Sequence, residues 1–124
     1  MRPLLAPFEA TCYAALRVVA GFLMLFHGLQ KLFGLFGGNV VEALTQRWFG
    51  GLIELICGVL VAVGFFTSPA AFLLSGTMAV AYFQFHQPGG LLPIQNRGEL
   101  AVLYCFVYLF IAARGTGRFG IDKH

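Results

Sequence analysis

Four apolar runs, parted by short turns rich in Gly and Pro, leave this chain almost no residues for a water-facing surface. The first run extends from about Phe8 to Phe33 and stops at Gly34 to Asn39, a strong helix-ending stretch. The second, about Trp48 to Phe66, is interrupted only by Glu54. The third runs from about Pro69 to His86, with Ser68 as its expected cap and Pro69 in its first turn. A Pro/Gly loop from Gln87 to Asn96 precedes the fourth, about Gly98 to Ala113. Of 124 residues, 59% are hydrophobic and only 10% are charged, against about 25% charged in a soluble domain. That excludes a soluble globular domain and a disordered chain alike. At ~20 residues per span the length admits four crossings. The expected fold class is all-α, a transmembrane four-helix bundle, with residues 1–124 as a single membrane domain and helices near 8–33, 48–66, 69–86 and 98–113.

The eight Lys and Arg are scattered and form no basic face, so no nucleic-acid partner is expected. Cys12, Cys57 and Cys105 lie far apart in apolar runs and make neither a disulfide framework nor a metal spacing, so no metal site is expected. Cys57 and Cys105 match in depth, and a buried free Cys usually acts as a small apolar residue. The N-terminus has one basic residue, Arg2, and an apolar run too long for a cleaved signal, so it is read as a retained first helix. Arg2, Arg114, Arg118 and Lys123 fall on the terminal side, and Lys31, Arg47 and Arg97 on the other. The positive-inside rule then places both termini in the cytoplasm. The tail from Arg114 to His124 is read as polar and basic, with His124 solvated.

Helical spacing puts Ala14, Arg17, Gly21, Met24, Gly28 and Lys31 on one stripe of the first helix, and Gly50, Glu54 and Gly58 on one stripe of the second. Small residues four apart let helices approach closely in lipid. Depth counting gathers His27, Lys31, Glu54, His86, Asn96 and Glu99 at the end away from the termini. The depths pair His27 with Glu54 and Lys31 with Glu99. Charges in hydrocarbon are costly and mark sites of function. A His–Glu pair can carry protons or hydrogen-bond the carbonyls of a quinone-like ligand. The plainer reading is a network that orders the helices or snorkels to the surface. Arg17, nearer the other end, is expected to snorkel to headgroups, with a buried role beneath the cluster as the alternative.

The residues then resemble a known family. HGLQKLFGLFGG (His27 to Gly38), GGLIELICGVLVAVGFFTSPAA (Gly50 to Ala71), MAVAYFQFH (Met78 to His86) and NRGELAVLYCFVYLFIAARG (Asn96 to Gly115) resemble, in order, the four helices of the DoxX family of small membrane proteins. The resemblance implies a four-helix bundle in the bacterial cytoplasmic (inner) membrane, multi-pass. Family-like positions are His27, Gly28, Lys31, Glu54, Thr67, His86, Asn96 and Glu99. The family name comes from a subunit of a thiosulfate:quinone oxidoreductase. The resemblance therefore implies a redox-linked subunit rather than an enzyme on its own, with a quinone as ligand, no covalently bound cofactor, and a partner protein or a homo-oligomer. The alternatives are a non-enzymatic anchor or scaffold for a partner complex, and a proton or small-molecule pathway.

Overall fold

A computed structural model describes residues 1–123, and they contain helices and turns but no strand. His124 and its expected solvation lie outside the described residues. A 3-10 turn, Ala6–Phe8, leads into α1, Glu9–Phe33. The next helix, α2, is Gln46–Val63, and α3 is Thr67–Ala81. One turn, α4, Pro93–Asn96, precedes α5, Glu99–Arg114. α1 packs most heavily on α2 and α3 on α5, with α2 also lying against α3.

Local chemistry explains the ends. Thr45 accepts a hydrogen bond from the Trp48 N–H and caps α2, which begins at Gln46, two residues before the expected start. Gly34 and Gly64 close α1 and α2 in left-handed conformation, φ 68° and 74°. The expected cap on α3 is corrected. Thr67 is its first residue, and Ser68 donates its hydroxyl to the Ala112 carbonyl at 2.7 Å, tying α3 to α5. After Ala81 the helix widens into a π-type turn, Tyr82–His86, with the Gln87 N–H bonding Tyr82 O. Such turns re-aim side chains.

The closest packing is between α1 and α2. A Cβ added to Gly21 would lie 2.5 Å from Ala62 N, one on Gly28 2.6 Å from Leu55 N, and one on Gly58 2.7 Å from Leu25 N. All three obstacles are backbone atoms, so only glycine permits this approach. Gly76 on α3 differs, with no atom near its missing Cβ.

The polar side chains turn inward. Arg17, Glu54, Thr67, Ser75, Asn96 and Thr116 are buried, and no buried side-chain polar atom among the described residues lacks a partner. Large apolar residues such as Phe22, Ile56, Phe72 and Phe106 face outward.

Arg17 does not snorkel, which corrects the expectation for it. It is fully buried and donates to the carbonyls of Val61, Thr116, Arg118 and Phe119. The tail folds back to provide three of these acceptors. It is fastened by Ile121 N–H to Val63 O, Asp122 N–H to Gly64 O, and a buried Thr116–Thr67 hydroxyl bond of 2.8 Å. Beyond it Glu9 pairs with Arg114 at 2.7 Å, and Tyr13 donates to Gly115 O at 2.6 Å. Both ends of the chain therefore meet at one end of the molecule.

Overpacking a close helix contact typically costs ~1–3 kcal/mol. Gly58→Leu should lower the thermal midpoint in detergent by that order, while Gly76→Leu should unfold at the wild-type temperature. Equal midpoints would contradict the packing described here.

Candidate functional site

The α1–α2 contact continues to the end away from the termini. A Cβ at Gly51 would meet the Lys31 Cβ at 2.9 Å, so Lys31 is drawn over α2. Gly28 and Lys31 share one face of α1, as Gly51 and Glu54 share one face of α2. Lys31 Nζ donates to both Glu54 carboxylate oxygens, at 2.6 and 2.9 Å. Glu54 is 1% exposed and Lys31 28%.

Behind this pair lies a cavity of about 240 Å³ between α1, α2, α3 and α5. His27, Lys31, Glu54, His86, Arg97 and Tyr104 bring their side chains to it, over an apolar floor that includes Met24 and Met78. The His27 ring meets Tyr104 edge-on, with centroids 6.3 Å apart, and Tyr104 stacks on Tyr108. Tyr108 in turn donates to Ala20 O at 2.6 Å, which fixes the aromatic column against α1.

Asn96 organises the corner that delivers Arg97. Its Nδ2 donates to Gly90 O and to the Tyr82 hydroxyl, each at 3.1 Å, and its Oδ1 accepts the Gly98 N–H at 2.8 Å. Arg97 follows in the left-handed region at φ 61°. His86 Nδ1 lies 3.4 Å from Asn96 O, and it reaches the cavity because the π-type turn carries it there.

Two expected pairings are corrected. Glu54 is closed by Lys31, and His27 shares the cavity without being its ion-pair partner. Glu99 does not meet Lys31. It begins α5, which packs mainly on α3, and it is exposed in an outer depression beside Leu103 and Phe106. Depth placed these groups at one level, but helix adjacency decided who meets whom.

Arg97 and Tyr104 were missed as cavity residues. In the sequence Arg97 is one loop charge among several and Tyr104 one aromatic within an apolar run. Tyr104 stands one turn after Ala101, which also lines the cavity, so its phase on α5 was a usable signal. Cys57 is buried in the core with Cys105 packed against that core, and all three cysteines are free thiols. Among the described residues no group of His, Cys, Asp and Glu has metal-binding geometry.

Two helices, Ala6–Phe33 and Gln46–Val63, are long and apolar enough to cross a membrane. With polar groups inside and apolar groups outside, these helices have the pattern of a small all-helical membrane protein. The DoxX family pattern matches residues 13–87, more than half of the chain, and the chain belongs to the DoxX family. It is 36% identical to an uncharacterized protein of Haemophilus influenzae over 117 residues, covering 89% of this chain and 87% of that one. An uncharacterized membrane protein of Mycobacterium tuberculosis is 28% identical over 128 aligned positions, covering 87% of this chain and 77% of the other. No solved structure matches the chain.

Removing one member of a buried ion pair leaves the other uncompensated, at roughly 3–5 kcal/mol for a fully enclosed pair. Partial exposure of Lys31 lowers that figure. Glu54→Gln should therefore destabilise the protein in detergent more than Glu54→Gln combined with Lys31→Met. A double variant no more stable than the single one would contradict the pairing's role.

Proposed function

We propose that the chain is a four-helix transmembrane bundle of the bacterial cytoplasmic membrane and acts as the ligand-binding membrane subunit of an oxidoreductase complex. Its ligand is the ring of a quinone or a similar lipophilic carrier, held in the cavity behind Lys31 and Glu54. α3 and α5, at 15 and 16 residues, are short spans. α3 gains length because the helical path runs on through the π-type turn to His86. The outward apolar residues on all four long helices support the same reading.

The observation that carries the ligand is the cavity itself, about 240 Å³ with polar groups on an apolar floor. An apolar cavity of about 150 Å³ is enough for a benzene ring. The residues fit such a ring: Tyr104 offers an aromatic face, and Lys31, His27, His86 and Arg97 offer N–H donors for ring oxygens. When bound, a quinone supplies two-electron, two-proton redox chemistry. Glu54 holds Lys31 in place as a donor, and the imidazoles of His27 and His86 can give or take a proton at a ring oxygen. The electrons come from a partner protein.

Loss of a hydrogen bond from a charged group is worth about 1.5–3 kcal/mol. Lys31→Met should therefore weaken binding of a short-tailed quinone by about tenfold or more, and His27→Leu should weaken it less. Titration of the purified protein checks this. Wild-type protein that binds no quinone, with stability and cellular phenotype recovering together in the Glu54/Lys31 double variant, would favour a purely structural cluster and a scaffold.

The loop charges and the meeting of the two chain ends support a topology with both termini in the cytoplasm. Reporter fusions at Gly38 and Gly90 should report the periplasm, and a fusion after His124 the cytoplasm. A cytoplasmic signal at Gly90 would refute the four-span arrangement.

A further inference from the structure

A second cavity, about 780 Å³, opens sideways between α2 and α3. Most of its wall is apolar and exposed, including Phe49, Phe72, Leu73 and Val80. Two helical glycines face it, Gly50 on α2 and Gly76 on α3, and a Cβ on either would meet nothing within 4 Å. They differ from Gly21, Gly28 and Gly58, which make close helix contacts. Here the missing side chains leave space, and exposed apolar residues surround it.

The end of this groove is cationic. Arg47 in the first turn of α2 lines it, with its guanidinium 5.7 Å from the Phe85 ring centroid. Lys31 and His86 line the same end. Gln46 Nε2 donates to Gln84 Oε1 at 2.6 Å and ties α2 to the turn after α3 above the groove. No Asp or Glu lines it. Glu42 lies in the adjoining mouth and makes no ion pair with Arg47 among the described residues. Lys31 already serves Glu54, so Arg47 is the cation without a counter-charge.

We infer that this groove seats an anionic phospholipid, with one acyl chain between α2 and α3 over Gly50 and Gly76 and its phosphate at Arg47, beside Lys31 and His86. The charge complementarity selects this occupant. A second copy of the chain docked symmetrically would bring the same cationic patch to itself. A quinone tail would leave Arg47 unmatched. The groove shares Lys31 and His86 with the cavity proposed for a quinone ring, but Arg47, Gly50 and Gly76 line the groove and not that cavity, and its occupation does not depend on that role.

The test uses the full chain in an uncharged detergent, with lipid binding followed by native mass spectrometry and by thermal shift. Phosphatidylglycerol should bind about fivefold more tightly than phosphatidylcholine of the same chains, the factor expected from one basic side chain near an anionic headgroup. Arg47→Gln should remove that preference. Gly76→Leu and Gly50→Leu, each filling the groove without striking a neighbour, should abolish the phosphatidylglycerol shift. Both should keep the lipid-free midpoint of the wild type. Inorganic phosphate and glycerol phosphate should give no shift, because the acyl chain supplies part of the binding. Equal binding of the two lipids by the wild type would overturn the proposal. So would unchanged phosphatidylglycerol binding in both glycine variants, or a dimer that the glycine variants split while lipid has no effect. Quinone binding in Gly76→Leu, measured alongside, keeps the two sites apart: its survival leaves the ring cavity standing whatever the lipid result.

Discussion

The contact of α1 against α2 at Gly21, Gly28 and Gly58 sets the rest of the structure. At each of these points a methyl group would strike the other helix's backbone. In lipid no hydrophobic force draws apolar helices together, so close van der Waals packing has to do it. That approach fixes the rotation of both helices. It turns Arg17 inward at one end and brings Lys31 over Glu54 at the other. Both charges would be costly on the outer face.

The two polar ends are satisfied in different ways. Arg17 has no carboxylate partner among the described residues and is held by four carbonyl oxygens, three from the returning tail. Nε, Nη1 and Nη2 of the guanidinium thus each meet a backbone acceptor. That end is closed and tied by the chain itself. The other end is open. Glu54 is matched by Lys31, but Arg97 and two imidazoles stand around the same cavity, so the N–H donors outnumber what the single carboxylate takes up. A closed end suits a structural lock, and an open one with surplus donors suits a ligand with acceptor oxygens.

The helix between these ends also differs along its length. α3 is regular until Ala81 and then widens, and this change carries His86 to the cavity while Asn96 locks the following corner through Tyr82, Gly90 and Gly98. Asn96 is therefore a positioning residue for Arg97 in the structure, although the sequence groups it with the candidate ligands. Glu99 belongs to neither role, since the start of α5 faces outward.

The apolar runs, the glycine-spaced stripes and the scarcity of charge by themselves determined that the chain is helical and suited to lipid, and which end holds most of the polar residues. Period and composition encode those properties, because a helix repeats every 3.6 residues whatever it packs against. Residues 27, 31 and 54 were legible as one group for the same reason. Which of them pair was not legible. Depth along a helix is a local quantity, whereas the neighbour across the interface depends on which helices are adjacent and how each is rotated. Lys31 meets Glu54 because α1 touches α2, and Glu99 is left out because α5 lies mainly on α3. The fate of Arg17 was hidden for a further reason: its partners are backbone carbonyls, one on the second helix and three on the tail far beyond it, and carbonyls carry no sequence signal. Only the folded chain brings them within reach.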